Sequence, residues 1–282
     1  MIKRILVPLD STEFTASALE FSCWMAKVHT AELTGLVALD LEDIKESFGS
    51  APAGGFYYAE RLGAAREKEA LGYIQHLINE FKMKCEKAGV RHREAFEQGV
   101  PVEEIIKRSL FYDAVVMGLR NDFNFDAKDR PVKSISEVLH HGVTPVYGVP
   151  AKIPPSLQQS KTLHTLIAID GSPLAGRALQ HFTHLAVPDR AHVQLLASGM
   201  NRDRSASLLR EAEALLRAHG FVQIETLAIE KEIARAMRED YFDWADLIVV
   251  GAHSKHEWLE AITGSLTQFL IEEAQKILLI GL

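Results

Sequence analysis

Short runs of aliphatic and β-branched residues alternate along the chain with longer segments whose apolar positions recur at helical spacing. In the second half, the short runs predict strands over 163–169, 192–198, 222–228, 246–251 and 276–281. The segments around them predict helices over about 173–186, 203–219, 230–241 and 264–274. Because strands and helices take turns, we expect an α/β fold with a parallel sheet covered by helices on both faces.

The pattern occurs twice. The segment 3–26, KRILVPLDSTEFTASALEFSCWMA, matches 164–186 at an offset of 160, with Asp10 and Asp170 in corresponding places. Further on, YDAVVMG ending at Gly118 matches ADLIVVG ending at Gly251 at an offset of 133. The 282 residues are also more than one core usually needs. We therefore expect two tandem, doubly wound, five-stranded parallel-sheet domains.

The expected boundaries follow from the repeat and from composition. The first domain is predicted over 1–150, a Pro/Gln/Ser-rich linker over 151–161 and the second domain over 162–282. The first domain is longer because of a segment over 41–58 that ends in FYY. These aromatic residues either close over a ligand or begin the following helix, and we favour the helix.

Composition narrows the classes of function. The net charge is −7 and no basic stretch stands out, so we expect no nucleic-acid partner. No apolar run approaches 18 residues, which predicts no membrane span. Cys23 and Cys85 have neither metal-binding nor redox-motif spacing, and we expect buried or idle thiols in a cytoplasmic protein.

Chemistry is expected where parallel strands end, because ligands of open α/β sheets bind at the carboxyl edge. Asp170 follows the first strand of the second half, and its carboxylate can accept from an exocyclic amine or a ribose hydroxyl. Gly251 ends the fourth strand, and Gly264 and Ser265 open the next helix, where free N–H groups favour an anion. This arrangement suits a nucleotide, with the base near Asp170 and the phosphates near Gly264 and Ser265.

Structural interpretations of the same residues stay open. Asp170 and the Gly-Ser-Pro that follows it can cap a helix starting near Pro173. Gly251 can be a tight strand exit, and Gly264-Ser265 a plain helix start. The segment GSPLAGRA (171–178) has the glycine spacing of a P-loop but lacks its Lys and Ser/Thr, and it is expected to be helical through Gly176.

The ordered pieces resemble the universal stress protein family in its tandem two-domain form, over nearly the whole chain. The resemblance is carried by ILVPLDSTEFTASAL, LIAIDGSPLAGRAL, EQGVPVEEII (97–106), DAVVMG, DLIVVGAHS and SEVLHHGVTPVYGV (136–149). It implies tandem domains that pair through their last strands, TPVYGVP (144–150) and KILLIG (276–281). The chain would then be a monomer that looks like a dimer, or two chains would associate into a homodimer.

The resemblance also implies a nucleotide. ATP-binding members of the family carry Gly-x2-Gly-x9-Gly-Ser/Thr, and Gly251, Ser254, Gly264 and Ser265 keep this spacing, with Ser254 replacing the second glycine. The serine either weakens binding through its added Cβ or serves as a donor. The resemblance implies ATP or another adenine nucleotide, with or without magnesium, in the second domain only.

Two further residues take roles from the same resemblance. Asp170 falls where such members have the acidic residue that contacts the adenine end, and His253 where a histidine often stands in the loop. His253 lies close to His256, and His140 is followed by His141 near a helix end. Neither pair has a third ligand nearby in sequence, so we expect no metal site.

The first half departs further from the motif. Asn121 stands in place of the second glycine, and Pro131, which has no N–H, stands near the place of the Gly-Ser pair. Asp10 remains, but we expect no ATP there in the family's mode. Four basic residues could hold another anion, although solvated loop charges are the simpler reading: Arg120, Lys128, Arg130 and Lys133.

These observations lead to one main hypothesis and one alternative. The main hypothesis is a cytoplasmic stress-response regulator or sensor that binds an adenine nucleotide in its second domain. The alternative is a nucleotide-free protein-interaction module whose two sites are vestigial, with a protein partner that the sequence does not name. Neither requires an enzyme, since no nucleophile–base pair or paired carboxylates occur in the loops, although slow ATP hydrolysis stays open.

Overall fold

The computed structural model describes residues 2–40, 56–123, 134–158, 162–198, 201–231, 233–252 and 266–282. Ten strands in these segments form one sheet. They are β1 Arg4–Pro8, β2 Glu32–Leu39, β3 Arg91–Gln98, β4 Ala114–Gly118, β5 Val146–Val149, β6 Leu163–Ile169, β7 Ala191–Ser198, β8 Gln223–Ile229, β9 Leu247–Gly251 and β10 Ile277–Gly281.

The strand order is β3-β2-β1-β4-β5-β10-β9-β6-β7-β8. Neighbouring strands run parallel except at the centre, where β5 and β10 pair antiparallel with Leu279 opposite Tyr147. The sheet therefore consists of two five-stranded parallel halves with the same internal order, joined through their last strands. The predicted α/β class and doubly wound arrangement are confirmed, and the pairing of last strands that the resemblance implied is present within one chain.

Helices connect the strands. They are α1 Glu13–His29, α2 Phe56–Ala88, α3 Pro101–Ser109, α4 Ser134–His141, α5 Pro155–Gln158, α6 Pro173–Leu185, α7 Arg202–Ala218, α8 Ile233–Ala236 and α9 Leu266–Glu273. A π-helical turn, Met237–Tyr241, continues α8, and the N–H of Phe242 donates to the carbonyl of Met237. The single helix predicted over 230–241 is thus shorter and changes its hydrogen-bonding period midway.

Two apolar clusters cover the two faces of the sheet. Side chains alternate between faces along each strand, so Ile5 and Val7 lie in one cluster and Leu6 lies in the other. The first cluster contains Phe21 from the first half and Phe182 from the second, both almost fully buried. Each core therefore runs across both halves. Because one core covers each face of the sheet, the central strands are apolar on both faces.

Two predictions about connecting segments can be compared with the structure. Helix α2 begins at Phe56, so the aromatic triplet at 56–58 belongs to that helix, as favoured, while 41–55 lie outside the described residues. The predicted linker contains α5, and Leu157 is buried in the first cluster with 3% exposure. The boundaries themselves stay predictions.

Among the described residues, no helix combines the length and apolarity that a membrane crossing requires.

Candidate functional site

Asp170 directly follows one strand of the second half, and Gly251 ends the neighbouring strand. Strand β6 pairs with β9 on one side and with β7 on the other, so the strand order reverses at β6. Both residues follow buried strand segments and lie at the carboxyl edge of the sheet. The structure therefore places them at the kind of edge position where ligands bind in open α/β sheets.

The carboxylate of Asp170 is exposed. Its Oδ1 accepts a hydrogen bond from the main-chain N–H of Ser172 at 2.8 Å, which closes a tight turn through Gly171, whose φ is +78°. We find no further protein partner for this carboxylate within the described part of the chain. One oxygen thus shapes the local turn, and the other faces solvent, where a ligand donor can reach it.

The residues after Asp170 cap a helix. The side chain of Ser172 accepts from the main-chain N–H of Ala175 at 3.2 Å, and Pro173 occupies the first turn of α6. Helix α6 runs continuously through Gly176, so the prediction that this segment is helical is confirmed. The capping interpretation is therefore realised, with Ser172 rather than Asp170 as the capping residue.

Gly251 packs against the start of α6. A Cβ at this position would lie 2.7 Å from the carbonyl carbon of Leu174 and 2.9 Å from the main-chain nitrogen of Ala175. Backbone atoms cannot move aside cheaply, so this packing alone requires glycine. Helix contact therefore explains the glycine without any ligand.

The first turn of α9 is held beside the end of β9. The hydroxyl of Thr267 donates to the main-chain carbonyl of Gly251 at 3.0 Å, and the N–H of Ala252 donates to the carbonyl of Gly281 at 2.8 Å. Four of the predicted site residues lie outside the described residues: His253, Ser254, Gly264 and Ser265. Their proposed contacts with a nucleotide stay predictions.

Asp10 occupies the corresponding place in the first half, but its surroundings differ. It is 2% exposed, and its Oδ1 accepts from the N–H and hydroxyl of Thr12 and from the hydroxyl of Thr15. Its Oδ2 accepts from the side-chain amide of Asn121 at 2.8 Å and from the N–H of Asp122. This carboxylate ties the end of β1 to the segment after β4 and has no room for a ligand donor.

Comparison with known proteins identifies the family. The model of the universal stress protein family matches residues 1–142, half of the chain. The chain belongs to the universal stress protein family. A search of curated proteins finds no match.

Solved structures extend the likeness over the whole chain. A universal stress protein from Archaeoglobus fulgidus DSM 4304 has a TM-score of 0.71 at 22% identity, with 99% of this chain and 97% of that chain covered. A functionally unknown protein from Pseudomonas aeruginosa PAO1 has a TM-score of 0.59 at 14% identity, covering 99% and 92% of the two chains. At these identities the likeness shows a shared tandem fold.

Two residues of the Asp10 network were missed from the sequence of this universal stress protein. Thr15 lies five positions after Asp10, where the second half has Ala175 at the corresponding place. Asn121 stands where motif spacing puts Ser254 in the second half. The polar Thr15 in place of an alanine was a readable signal, but the separation of 111 positions hid the contact of Asn121 with Asp10.

A tyrosine completes the first-half network of this universal stress protein. The phenol oxygen of Tyr73, on α2, accepts from the main-chain N–H of Ser11 at 3.1 Å. Burial raises the pKa of Tyr73, and the nearby carboxylates of Asp10 and Asp122 raise it further. The phenol therefore stays neutral at physiological pH and acts as a fixed polar contact between α2 and the end of β1.

The basic residues considered for an anion in the first half have other surroundings or are not described. The guanidinium of Arg120 donates to the main-chain carbonyl of Glu272, at the C-terminal end of α9, at 2.5 Å. It is therefore neither a simple solvated charge nor part of an anion cradle within its own half. Lys128, Arg130 and Lys133 lie outside the described residues, as does Pro131.

The histidines considered for a metal are only partly described. His140 and His141 end α4 and contact each other, with ring centroids 4.3 Å apart, near the negative end of the helix dipole. Over the described ranges, no group of three or more His, Cys, Asp or Glu residues could hold a metal ion. His253 and His256 lie outside those ranges.

Proposed function

We propose that this universal stress protein is a cytoplasmic regulator or sensor that binds ATP or another adenine nucleotide in its second half. The observation that carries the proposal is the exposed carboxylate of Asp170, which keeps an oxygen free of protein partners within the described residues. A carboxylate at this edge can accept from the exocyclic amine of adenine or from a ribose hydroxyl.

The position of α9 supports the proposal. Thr267 holds the first described turn of this helix beside Gly251, on the strand next to Asp170. A helix start at this place favours an anion such as a phosphate group. The spacing of Gly251, Ser254, Gly264 and Ser265 then assigns the phosphates to the segment between β9 and α9, with magnesium as a companion of the phosphates.

Regulation is proposed rather than catalysis. The motif supplies one carboxylate, Asp170, and no nucleophile paired with a base. Nucleotide binding would stabilise the folded protein, and a partner protein could recognise the nucleotide-bound form. Phosphate release is therefore a separate measurement from binding.

The nucleotide-free interaction module stays a second candidate because contacts within the protein account for Gly251 and for the turn after Asp170 without a ligand. Gly251 is required by its contact with α6, and Ser172 by its capping bond. In the first half, the bonded carboxylate of Asp10 favours a structural role. If the second half behaves in the same way, both motifs would be vestigial.

Calorimetric titration of ATP and of ADP, with magnesium and with a chelator, tests the proposal on the full chain. We expect one site per chain with a Kd of about 100 µM or tighter, which corresponds to roughly −5.5 kcal/mol. Gly264→Asp should abolish binding by placing a negative charge at the phosphates. Asp170→Asn should weaken binding about tenfold, since a charged acceptor becomes neutral.

Two matched variants control for the same chemical changes elsewhere. Gly72→Asp adds an acid on α2 at a place with no atoms within 4 Å of the new Cβ, and Asp189→Asn removes an exposed acid at the opposite edge of the sheet. Both should bind like the unchanged protein. Absence of heat from the unchanged protein with either nucleotide would sink the nucleotide proposal and favour the interaction module.

A further inference from the structure

The two cysteines of the chain lie side by side although they are far apart in sequence. Cys23 is on α1 and Cys85 is near the end of α2; both side chains lie in the first apolar cluster, with the two thiols within hydrogen-bonding reach of each other. Cys23 is 8% exposed and Cys85 is completely buried. Cys23 is thus the more accessible of the two cysteines.

The two helices are held in a fixed register. The N–H of Ser11 donates to the phenol of Tyr73 at 3.1 Å, and the ammonium of Lys84 donates to the main-chain carbonyl of Ala16 at 3.3 Å. Ser11 and Tyr73 are 62 positions apart, which is also the separation of the two cysteines. The two contacts advance along both helices in the same direction, so the helices run side by side and parallel, with Cys23 and Cys85 both in the first apolar cluster.

The surroundings distinguish the two thiols. The pKa of Cys23 lies below its ordinary value, mainly because Cys85 donates a hydrogen bond to it, with Lys27 and Lys84 adding positive charge while burial opposes the shift. The pKa of Cys85 is raised by its hydrogen bond to Cys23 and by burial. Cys23 therefore has the more thiolate character, and Cys85 keeps its proton.

We propose that Cys23 and Cys85 form an oxidation site for small peroxides, in which Cys23 is the attacking thiol and Cys85 the resolving thiol. The basis is the closeness of the two buried thiols on adjoining helices, with the more accessible one beside two lysines. This arrangement matches the general chemistry of redox-sensitive cysteines, which are partly accessible and adjoin a second thiol. The inference is independent of nucleotide binding.

The reaction balances in two steps. The Cys23 sulfur attacks one oxygen of hydrogen peroxide, the O–O bond breaks, and the Cys23 proton leaves with the other oxygen as water. The sulfenic acid so formed is attacked by the Cys85 sulfur, an S–S bond forms, and hydroxide leaves with the Cys85 proton as a second water. The two thiols lose two electrons in total, and the peroxide gains them.

The product would link α1 to α2 covalently. A loop of about 60 residues closed by the disulfide restricts the unfolded chain, so the oxidised protein should melt at a higher temperature than the reduced protein. Helix α1 follows Asp10 directly and carries Thr15, so the link would also fix the helix that supports the first-half network.

Oxidation of the folded, reduced full chain by one equivalent of hydrogen peroxide tests the proposal. After the treatment, the protein is denatured, blocked with maleimide and weighed by intact mass spectrometry. We expect a monomeric chain about 2 Da lighter than the reduced one that takes up no maleimide. Cys85→Ser should stop at the sulfenic acid and give a dimedone adduct at Cys23, whereas Cys23→Ser should keep the Cys85 thiol.

Removal of a lysine charge tests whether the two cysteines are a reactive pair or only lie next to each other. Lys27→Met removes a cation near Cys23 and should slow peroxide consumption about threefold to tenfold, through the smaller thiolate fraction. Lys68→Met makes the same change at an exposed position elsewhere on α2 and should leave the rate unchanged. Uptake of two maleimides after peroxide, disulfides only between chains, or equal rates in the two lysine variants would overturn the proposal.

Discussion

The two halves of the sheet place an aspartate after corresponding strands, yet the two side chains do opposite things. Asp10 is 2% exposed and accepts from donors on both of its oxygens, whereas Asp170 is exposed and closes one turn. Since a carboxylate whose acceptor positions are filled cannot also bind a ligand strongly, the number of protein donors decides the role. A motif residue kept in both copies of a repeat therefore carries no function by itself.

The glycines that end β4 and β9 behave alike in both halves. A Cβ at Gly118 would overlap the side chain of Phe14 on α1, and a Cβ at Gly251 would overlap the backbone of α6. Both strands are crossed closely by the first helix of their half. Close helix packing therefore explains both glycines. The two halves differ instead in the surroundings of their aspartates, Asp10 and Asp170.

Removal of the two carboxylates should show the largest difference between the halves. Asp10→Ala leaves the N–H of Thr12 and the amide of Asn121 without their buried acceptor, and we expect a loss of about 3 kcal/mol in the free energy of unfolding. Asp170→Ala removes one exposed turn contact and should cost about 0.5 kcal/mol. Urea unfolding followed by circular dichroism measures both. Equal losses would show that the contrast in burial has no energetic consequence.

Substitution of a packed glycine should have an intermediate effect. Gly251→Ala forces the new Cβ against Leu174 and Ala175, and we expect about 2 kcal/mol of destabilisation from this overpacking. Gly176→Ala is the matched control because nothing lies within 4 Å of its Cβ and it sits inside α6. It should stabilise by up to about 1 kcal/mol, since alanine favours helix. A tolerated Gly251→Ala would instead favour a ligand as the reason for this glycine.

The smallest expected effect concerns a histidine that connects the halves. His29, at the end of α1, is 3% exposed and lies beside Leu185, at the end of α6. Burial lowers its pKa below the ordinary 6.5, with the N-terminal amino group and Lys3 acting in the same direction. The folded pKa is the lower one, so the stabilising contribution is full above pH 6.5 and is lost as the pH falls through the range below it.

The pH dependence of the free energy of unfolding, compared between the unchanged protein and His29→Gln, checks this contribution of His29. The unchanged protein should lose up to about 1.4 kcal/mol per pH unit from this residue below pH 6.5, and the variant should lose correspondingly less. Burial also lowers the pKa of His181, so a slope of the same sign persists in the variant. Free energies of unfolding at pH 7.5 and 5.5 give the comparison. Identical slopes in both proteins would mean that His29 is not buried in solution.

The strands and helices could be predicted from the sequence better than the contacts between distant side chains. Strand β6 was predicted over 163–169 and observed at Leu163–Ile169, because its aliphatic run and flanking turn residues are local signals. The π-helical turn Met237–Tyr241 was not predicted, since one extra residue per turn leaves the apolar pattern of a short helix almost unchanged. The exposure of Asp170 could be expected from its turn sequence, but the burial of Asp10 could not.

The sequence by itself determined the alternation of strands and helices, the repeat, and the placement of Asp10 and Asp170 at strand ends. These follow from periodicities and turn residues that act over a few positions. Only the tertiary structure decided that Asn121 reaches Asp10, that Cys23 lies close to Cys85, and which atoms forbid a Cβ on the glycines that end β4 and β9. Such contacts join residues tens to more than a hundred positions apart, and they exist because helices pack onto a sheet whose strand order is not the chain order.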